Sequence, residues 1–408
     1  MCGEPHTTRP DRPLRGPVPQ ARRHPSVPTL AMKGILPLKS PRPKRTTARR
    51  RTGTSAVEGR LALVLAGGNA LGAFEAGAYQ ALHDQGFQPD WVVGSSIGAV
   101  NGAIIAGNPP ERRADALRTF WSKVSWPTGS GSAPDGLVNV MQRLAGQMQT
   151  ASFGNLAMFL PSPTGFMASE MKAIGLYDLA PLRDTLEHLV DFDLLNEGPV
   201  RLTMVAVDLE TGDEVLFDTR SGRLGPEHII ASNALVPDFK PVEIDGRLLG
   251  DGGLSANLPI DVVRREPDGG RLCIAVELFS ARRPPSTSFA EAVARRQELL
   301  FANQSRWFLE AHAREDRVRS ALRVVAGLIP DEVRNRPEIK TALAEADRPD
   351  MRLVTIAGDP DPETGNWFYD YSEQAIRTRW QAGEAKARAA LQAPVPAGAP
   401  QEQRKTAS

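Results

Sequence analysis

Trp91-Val92-Val93-Gly94-Ser95-Ser96-Ile97-Gly98-Ala99-Val100-Asn101-Gly102 is the stretch that decides the fold. A short apolar run ends at Gly94, and small and apolar residues follow at helical spacing. The stretch therefore predicts a buried strand turning sharply into a helix, with Ser96 at the turn. Gly94-Ser95-Ser96-Ile97-Gly98 fits G-x-S-x-G, in which glycines two before and two after the serine let strand and helix pass closely. Such a turn holds Ser96 in a strained backbone with its Oγ above the sheet edge, and the next helix points its N-terminal dipole at it. With 36 glycines in 408 residues the pattern also arises by chance. Its bland alternative is a tight βα turn in a nucleotide-binding sheet.

Upstream, Leu61-Ala62-Leu63-Val64-Leu65-Ala66 is an unbroken apolar run of the kind that forms a central parallel strand. It leads into Gly67-Gly68-Asn69-Ala70-Leu71-Gly72 and an amphipathic helix to about Gln85. Right-handed β-α-β-α connections place this glycine loop and Ser96 at the same carboxyl edge of a sheet. Consecutive small residues at a strand end expose backbone N–H groups, which an anion or oxyanion hole requires. A dinucleotide fingerprint would need glycine where Asn69 stands, and the acidic residue about 20 positions on, Asp90, precedes the second strand where that fold has it at the strand's end.

Downstream, a helix is expected from Pro109 to Val124, then an irregular stretch rich in Gly, Pro, Ser, Met and Phe to about Leu176. An insert of this length invites a lid reading, with Phe153 to Met171 as an apolar cover. Its alternative is an ordinary satellite core. Pro181–Leu189 reads as helix, Val200–Val207 and Glu214–Thr219 as paired strands, Glu227–Asn233 as a short helix, and Val242–Leu249 as a hairpin turning at Asp245-Gly246. The hairpin delivers the chain to Asp251-Gly252-Gly253, whose glycines allow a tight turn. Strands are expected at Arg271–Phe279 and Arg352–Ala357, and helices at about Ser288–Gly327 and Ser372–Leu391.

Taken in order, the glycine loop, the serine elbow, Ala231-Ser232-Asn233-Ala234-Leu235-Val236-Pro237 and Asp251-Gly252-Gly253 resemble the patatin-like phospholipase family. The resemblance runs from about Leu61 to Phe279. It implies an α/β, three-layer fold with a mainly parallel central sheet, here followed by a helical C-terminal extension. It implies Ser96 as nucleophile and Asp251 as its general base, with Gly67, Gly68 and Asn69 supplying oxyanion-hole amides. Gly72, Gly94, Gly98, Gly252 and Gly253 shape the turns. The sequence departs from the family's loop in two places. Asn69 stands at the third glycine and Leu71 at the usual basic position, which weakens any recognition of a phosphate headgroup through this loop.

The residue types give the mechanism. A serine hydroxyl is a weak nucleophile until an adjacent base takes its proton. A carboxylate serves when burial raises its pKa, without an imidazole between them. A Ser-Asp-His triad would need a histidine after Asp251, and only His312 follows it, in a polar helical stretch. His83, His188 and His228 fall on or at the start of expected helices, and His6 and His24 in the N-terminal tail. The implied reaction is hydrolysis of a fatty-acyl ester. The alternatives are acyl transfer to another alcohol by the same pair, or an inactive patatin-like scaffold, against which retention of both Ser96 and Asp251 speaks.

The net charge of +1 conceals an asymmetry: residues 1–60 hold 14 Lys and Arg against 3 Asp and Glu, leaving 35 against 45 in the rest. The expected organisation is a disordered basic Pro/Arg-rich tail at 1–58, a catalytic domain at 59–280, a mainly helical extension at 281–394 and a loose tail at 395–408. The basic tail fits an acidic surface such as anionic lipid or nucleic acid, or equally a solvated extension, with no specific nucleic acid implied. Arg22-Arg23 lacks the following apolar run of an export signal, and Met32 is an alternative start. No run of 18 apolar residues exists, so any membrane contact is expected to be peripheral. Two cysteines, Cys2 and Cys273, fit a reducing cytoplasm. No metal or organic cofactor is implied, and nothing in the sequence fixes the oligomeric state.

Overall fold

Leu61–Leu65 forms strand β1 with every residue buried, as an apolar run without alternation requires. A short 3₁₀ turn over Asn69–Gly72 leads into α1 (Ala73–Asp84), then β2 (Trp91–Ser95) and α2 (Ile97–Ala106). Helix α3 follows at Arg113–Val124, starting four residues later than expected. The computed structural model describes residues 60–127, 150, 152–162, 175–266, 272–283, 285–286, 289–346, 350–358 and 368–392. The expected tails and most of the irregular stretch, at 128–149 and 163–174, lie outside the described residues.

A short antiparallel pair, β3 (Leu160–Pro161) and β4 (Tyr177–Asp178), precedes α4 (Ala180–Leu189) and α5 (Phe192–Glu197). The order then runs β5 (Arg201–Asp208), β6 (Glu214–Asp218), α6 (Pro226–Ser232), β7 (Val242–Ile244), β8 (Arg247–Asp251), α7 (Ile260–Arg264) and β9 (Leu272–Glu277). Last come α8 (Phe289–Ala326), α9 (Asp331–Arg334), α10 (Pro337–Ala346), β10 (Arg352–Ala357) and α11 (Glu373–Gln392). The Asp245-Gly246 turn has positive φ at both residues, which explains why this pair closes the β7–β8 hairpin.

Among the described residues the strands form one eight-stranded sheet in the order β10-β9-β1-β2-β5-β8-β7, with β6 also paired to β5. The run from β10 to β5 is parallel, and β6, β7 and β8 enter antiparallel. All residues of β1 and β2 are buried whichever way they point, so helices cover both faces and the fold has three layers. The resemblance-based expectation of an α/β, mainly parallel fold therefore holds.

The C-terminal region is woven into this sheet. β10 pairs in parallel with β9, in register from Arg352 opposite Leu272 to Ala357 opposite Glu277. α11 packs along α1 so closely that a Cβ at Gly77 would overlap the Trp380 carbonyl, and one at Gly383 the Phe74 carbonyl. Ten residues of α1 are buried, because α11 packs along one side of it and α3 and α2 against another.

Candidate active site

Ser96 sits between β2 and α2 with φ 54° and ψ −126°, a region that non-glycine residues populate sparsely. The strain is held from several sides. A Cβ at Gly94 or Gly98 would collide with neighbouring backbone, Gly98 against the Leu65 carbonyl, so the two glycines set how closely β2, α2 and β1 approach. The Ser96 N–H donates to Ser232 Oγ at 3.1 Å, and the Ser232 hydroxyl donates to the Val205 carbonyl at 2.6 Å. Ser232, fully buried at the end of α6, thereby ties the elbow to β5. Sequence reasoning quoted it without giving it a role.

Asp251 ends β8 and is 2% exposed. Ser95 and Asp251 pair with adjacent β5 residues, Val205 and Ala206, which brings the two strand ends carrying Ser96 and Asp251 together. The Asp251 carboxylate accepts from the Gly253 N–H at 2.6 Å and has the Ser96 side chain as its other hydrogen-bond partner. Desolvation outweighs both bonds and pushes its pKa up to about 7. A Cβ at Gly252 would overlap the Val205 carbonyl and Ser95 Oγ, and one at Gly253 would press on Asn257 and Asp251.

The glycine loop lies beside Ser96. Gly67 approaches Ser96 Cβ, Gly68 packs on Leu278, and Gly72 on Ile97 and Trp121. Asn69 takes the left-handed conformation, φ 51°, so asparagine can stand at the third glycine. The Gly67 N–H, however, donates to the Asn257 carbonyl at 2.9 Å. Gly67 is therefore engaged, whereas no backbone acceptor engages the N–H groups of Gly68 and Asn69 among the described residues.

Several residues absent from the sequence reading hold this loop. Asn257 also donates from Nδ2 to the Gly67 carbonyl at 3.1 Å, and its own N–H donates to Gln304 Oε1 at 3.2 Å. From the C-terminal region, the Tyr371 hydroxyl donates to Asn69 Oδ1, the Ala70 N–H donates to the Phe368 carbonyl at 3.2 Å, and buried Arg379 donates to the Ala70 carbonyl at 3.2 Å. Beneath the loop, Asn101 donates to the Gly72 carbonyl and to Glu75, and Trp121 donates to Asn101. Burial raises the Glu75 pKa well above the carboxyl range. The signal for this last network was present: Asn101 is the one strongly polar side chain in Ile97–Ala106.

A second carboxyl, Glu277, ends β9 at the same sheet edge. Desolvation raises its pKa to about 7 against a hydrogen bond with Ser305. The histidines are committed elsewhere. His228 Nδ1 accepts the Gly225 N–H at 3.0 Å and its ring meets Phe217 edge-on at 4.7 Å. His312 is buried 3.7 Å from Asp261, and burial followed by the Arg264 charge lowers its pKa.

The lid reading needs correction over its described part. Met158 and Phe159 belong to the main core, and Phe159 meets Tyr177, Phe239, Tyr369 and Tyr371 at ring-centroid distances of 5.1–6.3 Å. Asn155 and Thr185 fasten the segment through bonds to Val124 and Ala157 carbonyls. Phe153 and Leu156 are exposed, at 72% and 86%. Phe166, Met167 and Met171 lie outside the described residues.

Residues 63–264 match the sequence model of the family described as Patatin-like phospholipase, and residues 300–403 match a second one described as Patatin phospholipase. The chain belongs to the patatin-like phospholipase family. Among its relatives is an uncharacterized NTE family protein of Mycobacterium tuberculosis, 29% identical over 56% of this chain and 51% of that one. A patatin-like phospholipase domain-containing protein of Caenorhabditis elegans is 26% identical over 54% of this chain and 14% of that one. The chain thus matches about half the length of the mycobacterial relative. The crystal structure of VipD from Legionella pneumophila aligns over 82% of this chain and 67% of that chain, at 14% identity and a TM-score of 0.36. Among the described residues of this patatin-like chain, no helix is long and apolar enough to cross a membrane.

Proposed function

We propose that this protein hydrolyses fatty-acyl esters through a dyad of Ser96 and Asp251. The observation that carries the reading is the buried Asp251 carboxylate, with its pKa near 7 and the Ser96 side chain as a partner. Membership of a lipid acyl hydrolase family supports the reaction class. A base poised near the working pH is what proton abstraction from a hydroxyl needs.

Asp251 takes the Ser96 proton as Oγ attacks the ester carbonyl. The Gly68 and Asn69 amides and the N-terminus of α2 stabilise the oxyanion that forms. The protonated Asp251 gives its proton to the departing alcohol, leaving an acyl group on Ser96. Water then attacks the acyl-enzyme, with Asp251 taking its proton and returning it to Ser96 as the fatty acid leaves. The substrate is a phospholipid or neutral lipid met at a membrane surface from the cytoplasm, a setting that the buried Cys273 fits. Labelling with a fluorophosphonate, followed by a panel of acyl esters, tests the reading. Absence of both labelling and turnover in folded protein sinks it.

A further inference from the structure

Helix α8 has two apolar faces, and the described tertiary structure uses one. Inward, Phe301, Ala302, Ser305 and His312 are buried. Outward, Val293, Leu300, Trp307, Val318 and Val325 are 51%, 55%, 64%, 63% and 51% exposed. With exposed Ala311 between Trp307 and Val318, these positions recur with the 3.5-residue period of a coiled-coil seam. The 38-residue helix is roughly 57 Å long. Single exposed apolar residues are ordinary on a protein surface, but a stripe in heptad register along a whole helix is not.

The two halves of the stripe differ, and the difference selects the occupant. In the first half, Val293, Leu300 and Trp307 fall on heptad position d, while Gln297 and Gln304 fall on a. In the second half, Ala311, Val318 and Val325 fall on a, with Arg314 and Ala321 on d. Two parallel copies would set Glu310 beside Glu315 of the second copy, like charge against like. Two antiparallel copies match a with d. Placing Trp307 opposite Val318 of the second copy then sets Leu300 opposite Val325 and Ala311 opposite Arg314, and the two-fold axis repeats each contact. In the same register Glu310 faces Arg317 of the second copy, also twice. Within its own helix Glu310 is 3.8 Å from Arg306.

We propose that the outer face of α8 is the seam of an antiparallel, two-fold homodimer. The partner helix covers the apolar stripe, and the paired Glu310 and Arg317 fix its register. Gln304, at the edge of the same seam, accepts the Asn257 N–H, so the dimer contact lies beside the glycine-loop support.

The test is the mass of the full chain, by sedimentation velocity and light scattering without detergent over a micromolar concentration series. The expected species is twice 44.2 kDa. Leu300→Glu combined with Val325→Glu should give the 44.2 kDa monomer with unchanged far-ultraviolet circular dichroism. Glu310→Arg or Arg317→Glu alone should raise the dimer dissociation constant about tenfold, and the two together should restore it. A monomeric wild type throughout the series overturns the proposal. So does a dimer that survives the Leu300→Glu, Val325→Glu change, or a charge swap that fails to restore association. Phosphatidylcholine–phosphatidylglycerol vesicles form the last arm: a monomer that binds them through Leu300 and Val325 makes the stripe a membrane face and overturns the dimer.

Discussion

Asn257 holds Gly67 twice, its main-chain carbonyl accepting the Gly67 N–H at 2.9 Å and its Nδ2 donating to the Gly67 carbonyl at 3.1 Å. The chain just past the Asp-Gly-Gly turn is thereby joined to the glycine loop by a residue of neither motif. Asn257→Ala keeps the main-chain bond and removes the side-chain one. A lost hydrogen bond of ordinary strength, about 1 kcal/mol, should lower kcat about fivefold to tenfold. The loss should fall on kcat more than on KM, because the loop is proposed to meet the oxyanion and not the ground-state ester. Steady-state kinetics on a soluble ester check this.

Ser96→Ala should abolish both ester hydrolysis and fluorophosphonate labelling while leaving the fold intact. Ser95 is fully buried and its Oγ has no hydrogen-bond partner among the described residues, so Ser95→Ala should retain most activity. The reverse pattern would show that the motif is read in the wrong register. Ser232→Ala removes the acceptor of the Ser96 N–H and should cost about tenfold in kcat, the scale of one lost buried hydrogen bond.

Asp251→Asn should lower activity about 10²-fold or more, and alanine at His228 or His312 should change it little. For the wild type, kcat/KM should rise with pH through about 7 as Asp251 ionises. Glu277 titrates in the same range, so the rising limb must persist in Glu277→Gln for Asp251 to be its source.

The same carboxyl makes a stability prediction. Its pKa in the folded protein is raised, so the fold binds the proton more tightly than the unfolded chain does. Its cost to stability therefore appears as pH climbs from the ordinary aspartate range and is complete above about 7. Asp251→Asn should raise the melting temperature at pH 8 and leave it nearly unchanged near pH 4. An equal shift at both values would point to a packing effect instead.

Phe159→Ser should destabilise the protein by about 3–5 kcal/mol, as for any large aromatic removed from a core, and should harm all substrates alike. Phe153→Ser with Leu156→Ser alters exposed side chains and should leave the melting temperature unchanged. If these two residues meet the lipid, turnover of long-chain esters falls while that of acetates is spared.

What the sequence by itself determined is local. The apolar run at Leu61–Leu65, the glycines around Ser96, the Asp245-Gly246 turn and the strand at Arg352–Ala357 each depend on near neighbours, and each forms close to where it was expected. Both βα loops lie at one sheet edge because right-handed crossovers leave no other arrangement. The supports of the site depend on contacts between residues far apart in the chain, and only the order of strands brings these together. Tyr371 reaches Asn69 and Arg379 reaches Ala70 because β10 adds beyond β9 and α11 returns along α1. That Phe159 is core follows from aromatic partners at Tyr177, Phe239 and Tyr371, which no pattern within its own segment contains. The pKa values of Asp251 and Glu277 are tertiary in the same sense, because desolvation is set by whatever the rest of the chain packs over a carboxyl.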